Sequence, residues 1–216
     1  MLLGIDVGGT FTDFVLLEDG GRVGIHKLLT SARDQSVAIL QGMALPSVDA
    51  FATPLGDVPI DREGVERALT LPGTQVSDEA HAFEHSLEVH LPFLQAVLDD
   101  FQLVPVVVGV CPAREVQSLL EALWGGDETL VVVSSDLSHF HAYDEACEID
   151  ANTTARIEAR EATLLGEEAC GAYAVNGLLL AAKAHNLQVR TLDTRNSGDT
   201  AGDRDRVVGY GAYALA

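Results

Sequence analysis

The sequence predicts an α/β fold: a mixed or mostly parallel sheet with helices on both faces. Three observations carry that prediction. Residues 103–110 and 129–133 are short, β-branched apolar runs without alternation, as strands covered on both faces are. Segments of helical spacing, such as 113–124 and 170–185, alternate with these runs. The 216 residues are 47% hydrophobic and 21% charged, enough to bury one core and too few for two full domains.

In chain order, residues 2–7 read as a strand, Gly8-Gly9-Thr10 as a turn and residues 14–17 as a second strand. Asp19-Gly20-Gly21 is another turn signal, and residues 23–29 read as a third strand. A helix is predicted from Ser31 or Asp34 through Val37, Leu40 and Met43. Residues 44–56 carry Pro46, Pro54 and Gly56 and read as extended. Residues 62–69 have helical spacing and stop before Pro72-Gly73. A further helix is predicted over 93–101, with Leu94, Val97 and Leu98 on one face. Helix 113–124 ends at Gly125-Gly126. Residues 144–165 read as a long polar helix, continuous or broken, and 170–185 as a helix of small apolar residues. Residues 189–192 and 207–215 read as closing strands around a polar loop, 196–205. There is no internal repeat and no low-complexity tract.

Charge excludes several functions. With 33 Asp and Glu against 13 Lys and Arg, the formal net charge is −20, and the sequence pI is near 4.4. Such a surface repels phosphate backbones and anionic lipid, so no nucleic acid and no membrane is expected as a partner. Lys27 and Lys183 are the only lysines. Many carboxylates with so little lysine suggest adaptation to high salt, where screening shortens repulsion; an ordinary acidic protein is the alternative. No apolar run approaches the roughly 20 residues of a membrane span. No basic stretch leads into an apolar one at the N-terminus. Cys111, Cys147 and Cys170 are odd in number and widely spaced, which is not a disulfide framework. The expected compartment is the cytoplasm.

Two regions carry candidate chemistry. At the N-terminus, a strand holding Asp6 runs into Gly8, Gly9, Thr10 and Thr12. Exposed N–H groups and hydroxyls there could cradle a phosphate. A tight hairpin needing glycine for positive φ explains the same residues equally well.

The second region is a His/Asp/Cys constellation. His81, Glu84 and His85 are dense in ligand chemistry, and on a helix His81 and His85 would share a face. The His-Glu-x-x-His order of metalloproteases is absent, and surface histidines at a helix start are the alternative. The apolar run 129–133 leads straight into Ser134-Ser135-Asp136-Leu137-Ser138-His139. Ligands of open α/β sheets bind beyond the carboxyl ends of strands. A carboxylate beside a histidine orients it for acid/base work; Ser or Asp capping a helix would be the structural explanation. Cys170 begins the 170–185 helix, where the dipole favours thiolate. A buried inert cysteine is the alternative, and Cys111 and Cys147 read as structural. Asn196-Ser197-Gly198-Asp199-Thr200 lines a cleft or forms a surface turn.

Two resemblances follow from these motifs. Gly4-Ile5-Asp6-Val7-Gly8-Gly9-Thr10-Phe11-Thr12-Asp13-Phe14-Val15-Leu16, continuing to His26-Lys27, resembles the start of the hydantoinase A/5-oxoprolinase family, where it forms the first phosphate loop of an actin-like ATPase fold. That family needs a second phosphate loop and an adenosine pocket, for which this chain has no sequence. ATP with Mg²⁺ is therefore not expected as a cofactor, and the segment reads as added strands.

Thr53-Pro54-Leu55-Gly56-Asp57-Val58-Pro59-Ile60-Asp61, Glu84-His85-Ser86-Leu87-Glu88-Val89-His90-Leu91-Pro92-Phe93, Pro105-Val106-Val107-Val108-Gly109, the Ser134–His139 block, Ala169-Cys170-Gly171 and the Asn196–Thr200 block together resemble the Memo family. Its prokaryotic members are called AmmeMemoRadiSam system protein B. The resemblance implies a fold similar to class III extradiol dioxygenases, truncated at the N-terminus. It implies Fe(II) or Cu(I) as cofactor, bound by two histidines and a cysteine, and redox chemistry with oxygen. By that resemblance Cys170 is the metal ligand, His139 with Asp136 the acid/base pair, and Glu84 and His85 are cleft residues. The family's His-Ala-Gly-Tyr and Gly-Pro-x-His blocks, which carry the ligand histidines, are missing here, so the ligand set is expected to be incomplete. The chain thus reads as 1–43, a hydantoinase-like β-rich fragment, and 44–216, a Memo-like α/β domain. The expected occupant of the cleft is a small molecule or peptide. Truncation leaves strand edges that favour a homodimer. Two rival functions stay open: a non-catalytic peptide-binding or scaffold protein of the same fold, and an ATP-binding fragment.

Overall fold

The computed structural model describes residues 7–8, 11–18, 22–29, 40–82, 86–200 and 203–216. Within them the fold is α/β with mixed sheets. The first strands are β1 (Val7–Gly8), β2 (Phe11–Glu18) and β3 (Arg22–Leu29). They are followed by β4 (Met43–Leu45), the hairpin β5 (Ala50–Thr53) and β6 (Gly56–Pro59), α1 (Arg62–Ala68) and β7 (Thr74–Val76). Next come α2 (Asp78–Ala82), α3 (Ser86–Val97), β8 (Gln102–Val108), α4 (Ala113–Leu123) and β9 (Thr129–Val133). The last elements are β10 (His139–His141), α5 (Tyr143–Glu158), α6 (Ala172–Ala184), β11 (Val189–Asn196), a 3-10 turn at Ser197–Asp199, and β12 (Val207–Leu215).

A seven-stranded sheet runs β1-β2-β9-β3-β8-β4-β7. β3 pairs in parallel with β9, Ile25 opposite Val132, and with β8 at Lys27 and Val107. β4 is antiparallel to β8 and parallel to β7. β2 is antiparallel to β1, β3 and β9. The segments on either side of residue 43 therefore share one sheet. In β8, every residue from Leu103 to Val108 is buried, which is why that run shows no alternation: both faces are covered. A second sheet, β10-β12-β11, is antiparallel. β12 alternates buried and half-buried residues along its length, as a strand with one covered face does.

The helices follow from their patterns. α4 buries Val116, Leu119, Leu120 and Leu123, one stripe at helical spacing. α6 is buried on nearly all sides and meets α4 through Gly177. A Cβ there would lie 2.4 Å from Val116 Cβ, so only glycine permits this approach. Each fully buried leucine stabilises the fold by about 1.5–3 kcal/mol.

Several boundaries differ from expectation. Helical spacing extends to Met43, yet Met43 lies in β4; residues 31–39 of that expected helix lie outside the described set. The Gly42 N–H donates to Val110 O and the Met43 N–H to Gly73 O, so long-range pairing overrides local spacing. The helix expected over 93–101 is α3, which starts seven residues earlier and carries Pro92 inside it. Proline in a helix removes one backbone bond, and burial of Leu91, 1% exposed, offsets it. Val97 is 77% exposed, about a quarter-turn off the stripe of Leu91, Leu94 and Leu98. α5 stops at Glu158 instead of reaching Leu165. Arg160 adopts φ 56° and the Glu161 N–H donates to Arg156 O, a left-handed helix stop made without glycine. Arg156 then ties Glu161, Thr163 and Glu168 to the helix.

Candidate metal and acid–base site

β9 ends at Val133, and the chain continues through Ser134, Ser135 and Asp136 into a fully buried loop. Burial is sustained because the loop's polar groups are bonded. The Leu137 N–H donates to Gly209 O at 3.0 Å, and the Gly209 N–H donates to Ser138 O at 2.8 Å. The Ser138 N–H donates to Asp150 Oδ1 at 2.9 Å. β12 and α5 together hold the loop at the end of the sheet.

Cys170 meets this loop at Ser135 and Asp136. It lies two residues before α6, with Gly171 as N-cap, so it precedes the helix it was expected to begin. Its N–H donates to Asp136 O at 3.1 Å. Its Sγ accepts from the Asp136 N–H at 3.1 Å. The Gly171 N–H donates to Ser135 Oγ at 2.9 Å. The β9–β10 loop and the α5–α6 connection are thereby zipped together.

Asp136 Oδ2 lies 3.0 Å from His139 Nε2. Asp136 is 0% exposed and Cys170 6%, while His139 is half-buried. One ligand atom from each of Asp136, His139 and Cys170 lies within 4.8 Å of the other two. Phe140 adopts φ 62° in the middle of β10, where the pairing with β12 shifts register. Arg206 lies over its ring at 4.8 Å.

The chemistry of the donor set bears on which metal it could hold. Thiolate, imidazole and carboxylate together suit a borderline or soft ion such as iron or copper, not the all-oxygen preference of magnesium. The three residues fit such an ion, and no identity is fixed by them.

Of the residues singled out in the sequence, the structure brings Asp136, His139 and Cys170 together. Glu84 and His85 lie outside the described residues, as do Asp6, Gly9 and Thr10. Gly8 and Thr12 lie in β1 and β2, where Val7 pairs with Thr12 and Gly8 with Phe11. His81 is buried, with Nε2 3.2 Å from Ala44 O. Cys111 is buried, and burial pushes its thiol up to about 12, with Glu115 adding to the effect. Cys147 is exposed. The Asn196–Thr200 block forms a capping box around the 3-10 turn, and Tyr143 Oη donates to Asp199 at 2.7 Å. Sequence reasoning assigned no role to His90, whose Nε2 is 3.3 Å from Ser134 Oγ, or to Asp150. His90 sits in a quoted motif; Asp150 gives no local signal beyond its place on the α5 face of Ala146, Thr153 and Ile157.

A family model described as Memo-like protein matches residues 35–214. The chain belongs to the Memo-like protein family. A second model, the hydantoinase/oxoprolinase N-terminal region, matches residues 2–52, so the two overlap over 35–52. Memo-like relatives include a MEMO1 family protein of Archaeoglobus fulgidus, 35% identical over 206 residues, covering 86% of this chain and 77% of the relative. Another, from Aquifex aeolicus, is 35% identical and covers 76% of this chain and 66% of its own. A third, from Sulfolobus acidocaldarius, is 32% identical and covers 74% and 61%. The chain thus spans less than two thirds of the length of several Memo relatives that it matches.

Proposed function

We propose that this Memo-like chain takes iron or copper in the Asp136–His139–Cys170 cleft and does redox chemistry on a small molecule or peptide. The observation that carries the reading is the convergence of three different donors within 4.8 Å at the end of a buried strand. Iron or copper bound there would supply one-electron redox chemistry with oxygen. Cys170 is the anchoring ligand. Asp136 orients His139 through their 3.0 Å contact, and a histidine so held takes up or returns a proton. In this reading the fold is kin to class III extradiol dioxygenases. The ligand set is incomplete, because the two histidine blocks of the family resemblance are missing. Metal affinity is accordingly weak; even losses outside the direct ligands cost about 10–100-fold.

The test is metal content after anaerobic reconstitution with Fe(II) or Cu(I), for the unmodified chain and Cys170→Ala, with folding followed by circular dichroism. Metal bound in the presence of excess Fe(II) or Cu(I), and lost in the variant, is the expected result. A folded, metal-free chain sinks the reading and leaves the scaffold alternative. No helix among the described residues is long and apolar enough to cross a membrane. The cytoplasmic placement rests instead on the three widely spaced cysteines, which form no disulfide framework. Phe93, 74% exposed, and Val97 lie one turn apart on α3, which supports self-association. A dimer is expected by light scattering at ~0.1 M salt, where charge repulsion reaches only ~10 Å; a monodisperse monomer counts against it.

A further inference from the structure

We infer that Asp150 is a positioning residue: from α5 it holds the buried loop at the setting that brings Asp136 and His139 to Cys170. Asp150 lies on the inward stripe of α5 with Ala146, Thr153 and Ile157, and is only 6% exposed. A carboxylate is costly at such a place, so it needs a compensating task. Its Oδ1 accepts from the Ser138 N–H at 2.9 Å. That N–H sits between the two residues of the acid–base pair, Asp136 and His139. The other carboxylate oxygen reaches β12 at Gly209, where a Cβ would lie 2.0 Å from Oδ2. Gly209 is thus the space that lets the carboxylate in. The same glycine braces the loop through two backbone bonds, to Leu137 and Ser138. Loop, helix and strand meet at one side chain. Without Asp150 the Ser138 N–H is left buried without an acceptor, and the short Asp136-to-His139 turn is free to shift. A ligand site displaced by about 1 Å loses much of its function.

The inference rests on the metal-binding reading only for its second readout. Three variants separate bond, charge and space: Asp150→Ala removes the acceptor, Asp150→Asn keeps an acceptor without the charge, and Gly209→Ala drives the carboxylate off Ser138. On the metal-free full chain, amide hydrogen exchange of Ser138 is read against Val107 in β8, together with the His139 ring ¹⁵N signals. Asp150→Ala and Gly209→Ala are expected to speed Ser138 exchange at least tenfold relative to Val107 and to move the His139 signals. Asp150→Asn is expected to restore both. Titration with Co(II), followed by thiolate charge-transfer absorption, is expected to show affinity about tenfold weaker in the first two variants and near normal in Asp150→Asn. Unchanged Ser138 exchange and His139 signals in both Asp150→Ala and Gly209→Ala overturn the inference, as does an Asn variant as impaired as Ala. If the unmodified chain takes up no Co(II), the metal reading fails, while the exchange and ring signals still decide the role of Asp150. Should Asp150→Ala not fold, Gly209→Ala and Asp150→Asn decide the role by the same two signals.

Discussion

Asp150 carries its carboxyl where burial pushes it above the ordinary carboxylate value of 3.8, with the Ser138 contacts opposing that rise. A raised carboxyl contributes stability that is present below its unfolded value and lost as pH rises through the folded one. Asn at that position keeps an acceptor without the desolvation cost. Asp150→Asn is therefore expected to be more stable than the unmodified chain at neutral pH, and the gap to close as pH falls to about 4. Urea midpoints at several pH values check this; parallel curves would show that the desolvation is not felt. The three cysteines differ just as clearly. Cys147 is exposed, whereas Cys111 and Cys170 are buried, and the Cys111 thiol is pushed up to about 12. Brief iodoacetamide treatment of the folded chain should modify Cys147 first and leave Cys111 untouched, as read by peptide mass spectrometry. Equal labelling of Cys111 would mean that the α4 side of the core opens readily.

At the scale of elements, the α4–α6 contact decides how the core closes. Glycine inside a helix ordinarily costs about 0.5–1 kcal/mol relative to alanine, so Gly177→Ala would stabilise a free-standing α6. Here the new Cβ meets Val116 at 2.4 Å, and the overpacking term of about 1–3 kcal/mol dominates. Gly177→Ala is expected to lower the thermal midpoint, and adding Val116→Ala to recover part of the loss in a double-mutant cycle. A stabilised single variant would refute the close approach. The ends of α5 and α6 make a related point. Both stop on a left-handed residue that is not glycine, Arg160 and Asn186, with the Leu187 N–H donating to Ala182 O after α6. Asn at such a stop is legible from sequence; Arg is not, which is why α5 ends well short of the polar run that suggested it.

At the scale of the molecule, the charge of −20 dominates. Ion pairs among the described residues, such as Arg62–Asp49 and Arg195–Asp193, are exposed and contribute little. Raising salt from about 0.1 M to 1 M shortens the screening length from about 10 Å to 3 Å. The thermal midpoint is expected to rise over that interval, and a flat or falling midpoint would remove the salt-adaptation reading. The sheet also treats its edges in a way the sequence did not suggest. Among the described residues, its edge strand β7 is only three residues long. Short edge strands limit edge-to-edge pairing, so self-association is better sought at Phe93 and Val97 on α3.

The buried strands β8 and β9, the helices α1, α4 and α6, the family, and the Asp136–His139 block are all legible in the amino-acid order, because each is written in a contiguous run of spacing or motif. The contact of the Asp136 N–H with Cys170 Sγ across 34 residues of chain is not written in spacing; only the family resemblance brought those residues into one cleft. Nor does spacing show β3 lying between β8 and β9, Met43 joining a strand, or Asp150 sitting beneath the loop. Periodicity reports which face of an element is apolar, not which other face it will meet. That choice belongs to the packing of the whole chain, where one long-range set of backbone bonds outweighs a local preference of a few tenths of a kcal/mol per residue.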